Sequence, residues 1–149
     1  DKPPTPSETG QRPGAPVHPQ ADGSFRLAPE TAAVSGRLRY QPDRGNLGAW
    51  FDRADQPSWR LAAAKPGMYR VRFEYGCTNP GVPFVVRCGA AEVAGVTQHT
   101  GDMRSYRTFE VGTLSIPGGD LTLDVAPGPF NGAFVNLRGI SLVPVPGAP

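Results

Sequence analysis

Apolar and polar residues alternate through the middle of the chain with a period of two. In the run 68–77, Tyr69, Val71, Phe73, Tyr75 and Cys77 share one parity, and Arg70, Arg72 and Glu74 share the other. A strand sends successive side chains to opposite faces, so this run predicts a strand with one buried face. Leu121, Leu123 and Val125 alternate in the same way against Thr122 and Asp124, and Trp59, Leu61 and Ala63 against Arg60 and Ala62. Further strands are predicted at 25–28, 33–40, 47–52, 83–88, 91–97, 104–116 and 133–143, separated by turn signals such as Pro42-Asp43-Arg44-Gly45, Lys65-Pro66-Gly67 and Pro117-Gly118-Gly119. No stretch of useful length shows the 3.6-residue period of a helix. About nine short antiparallel strands with a turn every 8–12 residues predict an all-β fold, a β-sandwich or jelly roll. The last strand changes phase: Val135 and Leu137 lie on one parity, Ile140 and Leu142 on the other. The slip falls at Arg138-Gly139 and predicts a bulge there.

Composition then divides the chain. It has 149 residues, with 19 Gly and 18 Pro, a proportion that would suggest disorder if spread evenly. Half of the prolines lie within 1–20 and 144–149. Residues 1–24 therefore read as a Pro-rich linker or disordered tail, 25–144 as one jelly-roll domain and 145–149 as a C-terminal tail.

Charge and the length of apolar runs bear on two classes of function. Lys plus Arg number 15 and Asp plus Glu 13, a net charge of +2, with the arginines spread along the chain and acids interleaved. There is no dense basic stripe, so the expectation is no nucleic-acid partner. No apolar run approaches the roughly 18 residues of a membrane span. The chain opens Asp1-Lys2-Pro3-Pro4, without a signal-peptide pattern.

Candidate chemistry is sparse. Two cysteines and two histidines do not make a tetrahedral zinc site when one histidine, His18, lies in the tail. Cys77 and Cys88 flank the turn signal Asn79-Pro80-Gly81. Two alternatives stay open: a disulfide across a hairpin, which would place the protein in an oxidising compartment, or two buried thiols on neighbouring strands. No nucleophile elbow, phosphate-binding glycine loop or His-Glu-x-x-His is present. His99 lacks an obvious orienting carboxylate, and no pair of acids is placed for glycoside hydrolysis. The chain is not expected to be an enzyme.

Several segments carry a resemblance in their order. Asn46-Leu47-Gly48-Ala49-Trp50, Ser58-Trp59-Arg60-Leu61 and Lys65-Pro66-Gly67-Met68-Tyr69-Arg70-Val71 are followed by Thr100-Gly101-Asp102-Met103-Arg104-Ser105-Tyr106, then Pro117–Leu123 and finally Phe134–Ile140. In this order they resemble carbohydrate-binding module families 6 and 35, which have a galactose-binding-like jelly roll. They are also similar to accessory domains of planctomycete-type bacterial proteins. The resemblance implies a glycan, or other domains of a larger parent protein, as partner. It also implies a secreted, periplasmic or cell-envelope location.

The resemblance places a sugar site on Asn136, Trp50, Met103 and Tyr106. Aromatic faces there would stack on a pyranose while an amide bonds its hydroxyls. The family's first aromatic position falls on Ala49, beside Trp50, and the second on Met103, which offers no flat π face. Trp50 is expected in the core more readily than on a platform, because one residue along a strand reverses the face. The family's structural calcium would take Glu30 and the position of Arg138. A guanidinium repels calcium, so no cofactor is expected, and Arg138 is instead expected to pair with Glu30. The leading functional reading is a non-catalytic carbohydrate-binding accessory module. The alternative is a structural or protein-interaction spacer that has lost sugar binding.

Overall fold

The computed structural model describes residues 13–146 and is built almost wholly of strands. In chain order these are β1 (Pro16–Val17), β2 (Phe25–Leu27), β3 (Arg39–Gln41), β4 (Asn46–Gly48), β5 (Ser58–Ala64), β6 (Gly67–Gly76), β7 (Pro83–Cys88), β8 (Ala91–Val96), β9 (Arg107–Ile116), β10 (Gly119–Pro127) and β11 (Asn136–Pro144), with a single 3-10 turn at Pro29–Thr31. One sheet has the order β1-β5-β10-β7-β8, and the other β3-β4-β11-β6-β9, with β2 also pairing with β11. The two sheets form a β-sandwich, as the alternation predicts.

The period-two segments become the two walls of the core. Tyr69, Val71, Phe73 and Tyr75 of β6 are buried, as are Leu123 and Val125 of β10 and Trp59 and Leu61 of β5. Phe73 from one sheet stacks on Phe84 from the other, with ring centroids 5.2 Å apart. Phe134 stands edge-on to Trp50 at 4.7 Å and to Phe84 at 5.9 Å. Aromatic pairs of this kind add about 0.5–1.5 kcal/mol beyond the area they bury. The bulge lies where the phase change places it, between Leu137 and Gly139 in the pairing of β11 with β6. Leu137 and Ile140 are both fully buried, and Arg138 between them is exposed.

Three expectations are corrected. The strand predicted over 33–40 shrinks to β3. Gly36 turns the chain with φ +64°, and the Arg37 amide donates to an Asp55 carboxylate oxygen at 3.1 Å instead of to a ladder. The alternation of β5 breaks at Ala63, which takes φ +55° and donates its amide to Asp120. Ala64 is thereby the buried residue in place of Ala63. The folded body also begins before residue 25. β1 runs parallel to β5, pairing Pro16 with Arg60 and Val17 with Leu61, and the Gly14 amide donates to the Thr31 carbonyl. The backbone of β5 would otherwise offer an open edge, and two residues of β1 cover part of it. Residues 1–12 of the expected N-terminal tail, and 147–149 of the C-terminal one, lie outside the described residues. Val145 donates to the Met68 carbonyl and so continues the sheet beyond residue 144.

The cysteines are the two buried thiols of the second alternative, but they do not lie on neighbouring strands. β6, which Cys77 follows, pairs with β9 and β11; β7, which ends in Cys88, pairs with β8 and β10. The segment between them crosses from one sheet to the other instead of forming a hairpin. Both thiols are free and buried. Burial, followed by the nearby Asp124 charge, pushes the Cys88 thiol up to about 11, and burial raises Cys77 as well. Raised thiol pKa values favour the folded state below the ordinary thiol pKa. The contribution is lost as pH rises from there through about 11, because the unfolded chain ionises first. The native protein should therefore leave both thiols unreactive toward Ellman's reagent at neutral pH and titrate two per chain in denaturant. Its melting temperature should fall between pH 8.5 and 11 more steeply than that of a Cys88→Ala variant. Rapid native labelling would contradict the buried placement.

Candidate functional site at one end of the sandwich

Three loops, 76–82, 97–106 and 128–135, are latched to one another by polar side chains, the buried Thr97 and Thr100 and the half-buried Asn79. Thr97 accepts from the Val82 amide at 3.0 Å and donates to the Asn79 carbonyl at 2.7 Å. Thr100 accepts from the Cys77 amide at 2.9 Å, and its hydroxyl lies 2.9 Å from the Asp102 carbonyl. Asn79 donates to the carbonyls of Asn131 and Ala133 at 2.8 and 3.1 Å. Buried loop backbone must find partners, and these side chains supply them where no ladder can. Asp102 finishes the turn: its carboxylate accepts from the Arg104 amide at 2.7 Å, and that bond, with further help from Ser105, lowers its pKa.

The 97–106 loop folds over the outer surface of the second sheet. Met103 presents its carbonyl to Gly76, where any side chain would collide with it. The same carbonyl accepts from Asn136 Nδ2 at 3.0 Å. Asn136 is 8% exposed, so its amide is engaged in holding the loop. Tyr106 lies over β4, and its hydroxyl accepts from Asn46 Nδ2 at 2.6 Å. The Arg138 guanidinium sits 4.5 Å from the centroid of the Tyr106 ring, and its Nε lies 3.7 Å from Glu74. Arg26 approaches the other oxygen of Glu74 at 3.8 Å and donates to the Arg138 carbonyl at 3.3 Å. A half-exposed phenol ring and a guanidinium thus form one plate, held from below by Asn46 and from the side by Glu74. Asn46 Oδ1 and Gln41 Oε1, opposite each other across β3 and β4, are buried without a partner.

Of the four residues on which the resemblance places a sugar site, Asn136, Met103 and Tyr106 are brought together, and Trp50 is not. Trp50 is a core residue, 1% exposed, with its indole donating to the Asp55 carbonyl at 2.8 Å. Ala49 takes φ +58° just before it, and the next residue, Phe51, faces outward at 48% exposure with Arg37 over its ring at 5.2 Å. Alternation carries this signal: if Trp50 points in, Phe51 points out. Asn46 and Glu74 were equally unassigned, because only the register of β4 and β6 against β11 brings them under Tyr106 and Arg138.

The expected Glu30–Arg138 pair is not formed. Arg138 is on Glu74 and Tyr106, while Glu30 lies in the 3-10 turn. There its charge, acting after burial, raises the Tyr40 phenol pKa. The calcium implied by the resemblance is not matched by these residues: a guanidinium occupies one ligand position, and calcium needs several oxygens together. Among the described residues, no group of three or more His, Cys, Asp and Glu side chains lies close enough to hold a metal. His99 is an exposed turn residue whose Nδ1 accepts from the Gly101 amide at 3.0 Å. The site offers amides, a phenol, a thioether and guanidinium groups, which suit binding more than proton transfer.

Removing the Tyr106 hydroxyl should leave the buried Asn46 amide without its partner. A Tyr106→Phe variant is expected to lose about 1–3 kcal/mol of unfolding free energy in urea, with the m-value unchanged. A Phe51→Leu change, on an exposed side chain, should move stability by less than about 0.5 kcal/mol.

No protein-family model and no curated protein sequence matches the chain. Solved structures do. The chain is similar to part of the Podospora anserina GH26-CBM35 β-(1,4)-mannanase, with TM-score 0.64 and 18% identity over 86% of this chain and 29% of that one. It is similar to the Cellvibrio mixtus lichenase 5A carbohydrate-binding module CBM6cm-2, solved with cellotriose, with TM-score 0.64 and 18% identity over 80% of this chain and 96% of the module. It is also similar to part of the Bacillus thuringiensis Cry4Aa mosquito-larvicidal toxin, with TM-score 0.63 and 9% identity over 89% of this chain and 25% of the toxin. The chain thus spans under a third of the mannanase and of the toxin but nearly the whole of the isolated module. At these identities the shared property is the fold: the chain has a jelly-roll β-sandwich like those of the mannanase, the lichenase module and the toxin.

Proposed function

We propose that the protein is a non-catalytic carbohydrate-binding accessory module that holds a larger protein near a glycan in a secreted, periplasmic or envelope setting. The observation that carries the reading is the Tyr106–Arg138 plate beside Asn136 and Met103. Its members are fixed in advance by Asn46, Glu74 and the latched loops, so little ordering is required when a sugar arrives. A ring and a guanidinium supply flat surface and donors for hydroxyls, which is the chemistry of shallow sugar sites. The mannanase and lichenase modules of the same fold support the same employment. Fold alone does not assign it, since the toxin shares the fold.

A second reading has its own observation. Trp50 is buried, and Ala49 and Met103 stand where the resembling modules carry aromatics, which favours a spacer or protein-docking domain. A glycan array separates the two. The accessory-module reading expects at least one bound glycan, with affinity reduced roughly tenfold, about 1.4 kcal/mol, in Tyr106→Ala. Circular dichroism should show the variant still folded. A silent array with folded protein would leave the spacer reading.

A further inference from the structure

We propose that the outer face of the second sheet is a binding surface for a polysaccharide bearing carboxylate or sulfate groups along its length. The choice of a polysaccharide rests on the function proposed above; the choice of an anionic one rests on this face. Arg70 and Arg72 of β6, Arg26 of β2, Arg138 of β11 and Arg39 of edge strand β3 all have the parity opposite to the buried residues, or lie at the bulge, and so face away from the core. Register places them on one grid. Arg72 and Arg26 both lie opposite Ser141, and Arg70 lies opposite Val143. Two glutamates share the face, Glu74 between Arg26 and Arg138, and Glu110 beside Arg72 at 3.7 Å. Five guanidinium groups against two carboxylates leave three positive charges in excess. The outer face of the other sheet reverses the balance: Arg60 and Arg87 meet Glu92, Asp120 and Asp124.

The geometry suits anions spaced along a chain. In Arg72 and Arg138 the glutamate lies at Nε, which leaves the terminal Nη pair, one of the two edges by which a guanidinium forks around a carboxylate or sulfate. Gly139 has no side chain, and the Arg26 guanidinium fills that space, which holds it low on the sheet. Neighbouring positions lie about 7 Å apart along a strand and about 4.8 Å apart between strands, the scale of a single sugar unit. A nucleic acid fits less well. A duplex carries a charge about every 1.7 Å and would meet the two glutamates, and single strands need a row of aromatics that this face lacks.

The test measures binding of the full chain to polygalacturonate, a sulfated galactan, a neutral β-glucan and a DNA duplex, at low and physiological salt. The expected result is binding to one or both anionic polysaccharides that weakens with salt. It should fall at least tenfold, by roughly 1.4 kcal/mol, in an Arg26→Gln/Arg70→Gln double variant. Arg87→Gln, on the other sheet, removes the same kind of charge and should leave binding unchanged; an equal loss there would overturn the assignment to this face. Binding of the neutral glucan without either anionic polymer would overturn the inference and leave the proposed function standing. No binding to any polysaccharide would overturn both. Duplex DNA bound as tightly as the anionic polysaccharides would overturn the choice of ligand. Unchanged melting temperatures of the variants keep each result free of unfolding.

Discussion

Strand β11 is the constraint on which the rest of the structure depends. It runs through the middle of the second sheet, pairing with β6 along one edge and with β4 and β2 along the other. Leu137 is matched with Leu47 on one side and Tyr75 on the other, so its position sets the register of three strands. The bulge beside it lets Leu137 and Ile140 both reach the core while Arg138 points out. An unbroken strand could not do this, because a one-residue step reverses the face. The same event therefore closes the core and turns a guanidinium outward, where Tyr106 and Glu74 receive it.

The loop end follows from that register. With Asn136 opposite Gly76, the bare Cα of Gly76 admits the Met103 carbonyl, and the Asn136 amide is near enough to bond it. Thr97, Thr100 and Asn79 then satisfy loop backbone that has left the sheets. Polar side chains in this region act mainly on backbone groups, which ties the three loops to one another and to the sheet. A rigid platform loses less conformational entropy on binding, so modest contacts count for more.

Much of the fold was legible in one dimension. The alternation in 68–77 and 121–125 became β6 and β10, and the phase change at Arg138-Gly139 became the bulge. Such features depend on periodicity, which a chain displays before it folds. The site was legible only in part. Asn136, Met103 and Tyr106 do converge, but Trp50 belongs to the core, and Arg138 chose Glu74 over Glu30. A partner across a sheet depends on register, and register depends on pairings as distant along the chain as Leu142 with Phe25. The first strand, β1, was missed for a related reason. Two residues such as Pro16–Val17 carry no period, and they become a strand only because β5 presents an edge.

The arginines make the division clearest. Read along the chain they are scattered among acids and form no stripe. Alternation alone determines that Arg70, Arg72 and Glu74 share a face opposite the buried aromatics. That face gains Arg26, Arg39 and Arg138 only through the sheet order β3-β4-β11-β6-β9 and the pairing of β2 with β11. The sequence by itself determined the long strands β6 and β10, the sandwich and which side of those strands meets water, because those follow from a period of two. Only the tertiary structure decided which strands lie side by side, and so which charges are neighbours, because long-range pairing leaves no local mark on the chain.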